Sequence, residues 1–152
     1  MQLDPSTPPL SRLAKTAGAL EVFLSVGALG GGAALMLGPR GEILPLPMSL
    51  LVNSPFDSYF VPGLILFVVL GLGPIAAACL IWLRHPLAPP AASGIGIALL
   101  VWLAVQIAIV GYSNSPPLQP FYLLVGAAIT VVGLRWLAVV GGLHQRIGPR
   151  TS

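Results

Sequence analysis

The sequence predicts an all-α polytopic membrane protein: four antiparallel transmembrane helices in a bundle. Three observations predict it. The chain is 56% hydrophobic and only 7% charged, where ordinary soluble domains carry roughly 25% charged residues. Seven basic and four acidic residues cannot cover a water-facing surface. Four apolar runs approach or exceed the ~20 residues that cross a hydrocarbon core at 1.5 Å each. The basic residues lie mostly at the ends of those runs, where membrane topology needs them. The stretch from Asn53 to Leu83 shows the pattern whole. Polar turn residues, Tyr59-Phe60 and a Pro62-Gly63 entry lead into Leu64–Leu83 without a charge, and Arg84-His85 closes it.

Residues 1–15, with Pro5, Pro8, Pro9, Arg12 and Lys15, are expected to form a short cytoplasmic tail. The first spanning helix is predicted over 16–38. Its basic flank and the Ala33-Ala34 pair also fit a signal peptide, but the run exceeds the usual apolar region of one, which favours an uncleaved anchor. Gly27 and Gly31, like Ala28 and Gly32, stand four apart, so a neighbouring helix is expected to come close there. Residues 39–60 make the outer loop. Within it Ile43–Val52 is apolar but broken by Pro45 and Pro47; it is too short to span and is expected at the interface or folded onto the bundle. The second helix is predicted over 61–83, kinked at Pro74, whose ring crowds the Leu70 carbonyl and offers it no N–H. Residues 84–90 read as a short, stiff connection. The third and fourth helices are predicted over 93–112 and 121–143, separated by a tight polar loop and followed by a basic cytoplasmic tail at 144–152.

Arg12, Lys15, Arg84, Arg146 and Arg150 fall on one side of this layout and Arg40 on the other. Five against one predicts both termini in the cytoplasm of a multi-pass cell-membrane protein.

Three polar side chains inside the spans are candidate site residues: Glu21, Gln106 and Arg135. Counted from the cytoplasmic ends of their predicted helices, Glu21 and Arg135 each lie roughly 10 Å deep. A lone charge in lipid costs about 2.5–3.5 kcal/mol on insertion scales, so pairing inside the bundle is economical; separate snorkelling to the interface is the bland alternative. Gln106 is expected about 18 Å up its helix, near the midplane, facing a substrate or bonding a neighbouring helix. A second, outer-loop group comprises Arg40, Asp57 and Tyr59, with Asp57 alternatively favoured by the dipole at the start of the second helix.

Enzyme templates fail. Cys79 is the single cysteine, so neither an intrachain disulfide nor a cysteine-based metal site is expected. His85 and His144 have no neighbouring carboxylate, which leaves no metal site, and Gly30-Gly31-Gly32 lacks the lysine of a phosphate-binding loop. No cofactor is expected. The formal charge of +3 comes without a basic patch interleaved with aromatics, so no nucleic-acid partner is expected either.

The glycine-rich first helix, the Pro39-Arg40-Gly41 turn and the loop Ser54-Pro55-Phe56-x-x-Tyr59-x-x-Pro62-Gly63-Leu64-x-Leu66 resemble small four-helix bacterial integral membrane proteins without an assigned activity. The helix layout is also loosely similar to DoxX-type membrane proteins. Neither resemblance implies a catalytic or binding residue. The function expected is that of a non-enzymatic structural or accessory component of a bacterial inner membrane. Its partners would be the lipid bilayer and another membrane protein or a second copy. The alternative is a small oligomeric transporter or channel using Glu21, Gln106 and Arg135.

Overall fold

The computed structural model describes residues 11–112 and 117–147. The rest of the two predicted tails, and part of the loop before the last helix, lie outside the described residues, as do the side chains of His144, Arg146 and Arg150. The fold is all-helical among the described residues, with four helices long and apolar enough to cross a membrane. Helix α1 is Arg12–Leu37, α2 is Phe60–Trp82, α3 is Ala88–Val110 and α4 is Leu118–Ile147.

Local chemistry sets the ends. The Ser11 side chain accepts from the Ala14 N–H at 3.2 Å, capping α1 four residues before its predicted start. Helix α3 begins at Ala88, five residues earlier than expected. Pro89 and Pro90 occupy its first turn, where their missing N–H groups would find no partner anyway, so the stiff connection is partly helix. At the end of α2, the Arg84 N–H bonds the Ile81 carbonyl at 3.1 Å and the His85 N–H bonds the Leu80 carbonyl at 2.9 Å. Together they form a Schellman termination, with Arg84 left-handed at φ 55°.

Helix α2 is continuous but not uniform. Phe60–Ile65 and Gly73–Trp82 are α-helical, while Leu66–Leu72 between them is a π-helix, its bonds reaching five residues back. The stretch ends directly before Gly73 and Pro74, where proline removes a donor from the ladder. A seven-residue π-helical stretch thus stands directly upstream of Pro74, the position at which the sequence predicts a kink.

Three apolar clusters fill the bundle from end to end. Ala14, Ala17, Ile81, Ala88 and Ala92 pack near the ends that carry the termini. Leu24, Ala28, Leu70, Leu99, Leu103, Val125 and Ile129 fill the middle. Leu35, Leu51 and Tyr59 close the loop end, with Leu51 supplied by a 3₁₀ turn, Met48–Leu51. The segment from Ile43 to Val52 thus adds Leu44, Leu46 and Leu51 to the packing, while Ile43 and Val52 stay exposed.

Small residues set the closest helix approaches. A methyl group at Gly32 would lie 2.8 Å from the Gly63 carbonyl oxygen, so α1 and α2 meet there backbone to backbone. Between α3 and α4, a methyl group at Gly96 would lie 2.6 Å from the Thr130 nitrogen, and one at Gly133 2.7 Å from the Ser93 nitrogen. Of the glycines singled out on α1, Gly27 faces the Tyr122 hydroxyl, whereas Gly31 has only ordinary contact with Leu66.

Candidate functional site

Glu21 is fully buried on α1, and neither carboxylate oxygen has a hydrogen-bond partner among the described residues. It sits between the cluster around Ala17 and the one around Leu24. One turn further, Ser25 is buried and its hydroxyl donates to the Gly71 carbonyl at 2.8 Å. Residues four apart share a helix face, so the acid and the hydroxyl both lie on the inward stripe of α1. The acceptor carbonyl belongs to the π-helical stretch of α2, a kind of irregularity that recurs at functional sites. The acid was legible as a charge in an apolar run; Ser25 and the π-helical acceptor were not singled out, although Pro74 marked where α2 would depart from regularity.

Glu21 and Arg135 do not pair. On α4 the inward stripe runs through Val125, Ile129, Val132 and Trp136. Arg135 is one residue from Trp136, about 100° round the helix, and is exposed. Whatever their depths, helical phase turns the guanidinium out of the bundle.

Gln106 lies nearer the end of α3 than its middle. Because α3 starts at Ala88, Gln106 lies about 27 Å along it and only about 6 Å from its end at Val110. Its half-buried side chain borders a groove of about 430 Å³ between α2 and α3. Pro62, Ile65 and Val69 line one wall, Ala98, Val101 and Trp102 the other, and Leu51, Ser54 and Phe56 lie across the loop end. Glu21 lies about 14 Å from the start of α1, in the opposite half of the bundle. The three intramembrane candidates therefore occupy three separate places.

The outer-loop group also divides. Arg40 is exposed, and its N–H bonds the Glu42 carboxylate at 2.8 Å. Asp57 is exposed and does not cap α2; the Ser58 hydroxyl instead accepts from the Phe60 N–H at 3.4 Å. Tyr59 is 5% exposed and acts as a clasp. Its N–H bonds the Pro39 carbonyl at 2.8 Å, and its hydroxyl donates to the Pro47 carbonyl at 2.8 Å. Burial pushes its phenol above the ordinary value, which keeps it a donor. These contacts give Tyr59 a part in holding the loop.

Apart from Glu21, the buried polar side chains among the described residues serve the backbone. The Ser93 hydroxyl donates to the Pro89 carbonyl at 2.9 Å, and the Gln119 amide donates to the Gly111 carbonyl at 3.1 Å. The described residues contain no cluster of three or more His, Cys, Asp or Glu side chains able to hold a metal ion. Comparisons of the chain with protein-family models, with curated proteins and with solved structures found no match.

Proposed function

We propose that the chain is a non-enzymatic structural or accessory component of a bacterial inner membrane, with both termini cytoplasmic, that assembles with another membrane protein or with itself. One observation carries this reading. The bundle interior is filled by Leu24, Leu70, Leu99, Leu103, Val125 and Ile129, and among the described residues the buried polar groups form no file from end to end. A conduit needs polar groups or water along its length; a scaffold needs a filled core.

The second reading is a small transporter, and Glu21 is the observation that favours it. An unpartnered acid inside a spanning bundle is costly, and such residues mark ion or proton paths. The scattering of Glu21, Gln106 and Arg135 weighs against a shared site. Reconstitution into vesicles loaded with a pH-sensitive dye separates the readings. Flux no faster than in protein-free vesicles is expected for protons, sodium and potassium. A flux that disappears in Glu21→Gln while the protein stays folded would establish transport instead.

A further inference from the structure

We propose that the groove between α2 and α3 holds one acyl chain of an ester lipid, with the Gln106 amide donating to the lipid's ester carbonyl. The groove lies along the flanks of two spanning helices, so its ligand comes from the bilayer. Its volume of about 430 Å³ falls within the range of sites that enclose small ligands. Below Gln106 the walls are hydrocarbon and the Trp102 indole, suited to a chain without polar groups.

Polarity fixes which end of the ligand goes where. Besides Gln106 and the indole N–H of Trp102, Ser54 is the polar side chain on the lining, and its hydroxyl is engaged within its own turn, donating to the Leu51 carbonyl at 2.9 Å and accepting from the Phe56 N–H at 3.2 Å. The Gln106 amide has no hydrogen bond to another described residue and sits one turn from the end of α3. In a bilayer that depth is where hydrocarbon gives way to the ester linkages of the lipid. An amide N–H needs an acceptor at such a site, and an ester carbonyl at the head of an acyl chain is one.

Shape argues against a helix as the occupant. Leu51 and Phe56 lie across the loop end of the groove, and a partner helix spanning the bilayer would have to pass through them. A single chain can end beneath that roof, its headgroup leaving sideways.

Trp102 is a built-in reporter. In a Trp82→Phe, Trp136→Phe background it is the sole tryptophan. We would titrate the delipidated full chain in mild detergent with phosphatidylcholine brominated along its acyl chains. Saturable quenching at one lipid per chain is expected. Ala98→Phe, which fills the groove, should abolish it, while Ile97→Phe on the neighbouring exposed position should not. Gln106→Leu should weaken binding up to roughly tenfold, the scale of one hydrogen bond, yet leave binding of a brominated alkane unchanged. Because Trp136 packs against the core and its replacement can unsettle the fold, native mass spectrometry of the otherwise unaltered chain provides a second readout: one retained lipid, lost in Ala98→Phe. Quenching that rises without saturation and equally in Ala98→Phe would overturn the proposal, as would a dimer in which Trp102 is shielded from every brominated lipid.

Discussion

Glu21 is held in a packed interior with no hydrogen-bond partner among the described residues, and that makes it a net cost to the fold. Replacing a buried, unpartnered polar group by an apolar one of similar shape removes a desolvation penalty of about 1–3 kcal/mol. Glu21→Met should therefore raise the midpoint of thermal unfolding in detergent. Arg135→Gln should leave it unchanged, and the double variant should equal the sum of the two; a non-additive result would reveal contact between the positions. Tyr59 makes the opposite case. Tyr59→Phe loses the bond to the Pro47 carbonyl and should weaken the loop by about 1 kcal/mol, read as faster amide exchange across residues 39–59. The phenol titrates higher in the folded chain than its ordinary value of 10.0. Its contribution is therefore whole below pH about 10 and is lost as pH rises toward the folded value. Loosening between pH 6 and 9 would contradict that sign. What the sequence told of these residues was depth and charge. It could not tell facing, because one residue of rotation separates Arg135 from the inward Trp136. The place of Gln106 along its helix was misjudged for another reason: prolines at 89 and 90 look like a linker unless they are recognised as a first helical turn.

Among the helices, the glycines divide by what their missing side chains leave room for. Gly32, Gly96 and Gly133 face backbone at under 3 Å from where a methyl group would stand, and no rotamer change relieves such a contact. Alanine at Gly32 or Gly96 should destabilise by about 1–3 kcal/mol, through displaced helices. Gly30 has nothing within 4 Å of that point, so Gly30→Ala should stabilise by about 1 kcal/mol through helix propensity. Thermal unfolding of the three variants checks the ordering, and a destabilising Gly30→Ala would mean that another surface covers α1 there. Four apolar runs with basic ends were enough to read the four spans. The seam between α3 and α4 was not singled out, although Gly126, Thr130 and Gly133 stand at i, i+4 and i+7 on one face of α4; the spacing marks a close-packing face but does not name the helix that meets it. The roles of Gly96, Gly126 and Gly133 appear only when Thr130, Leu100 and Ser93 are brought opposite them.

For the whole molecule, the distribution of Lys and Arg predicts which side the termini occupy. A reporter active only in the cytoplasm, fused after Ser152, should be active; activity of a periplasm-only reporter at that site would reverse the assignment. Arg84 carries part of that bias and also ends α2 in a left-handed conformation, where a non-glycine residue costs on the order of 1–3 kcal/mol. Two demands made at different times thus meet at one position. During insertion, a charge at this turn helps decide which face the hairpin is retained on. After folding, the same turn would be more comfortable as glycine. Arg84→Gly is therefore a substitution that ought to make correctly inserted molecules more robust while leaving more chains inserted the wrong way round, and a stability screen on purified protein would see only the first of those effects.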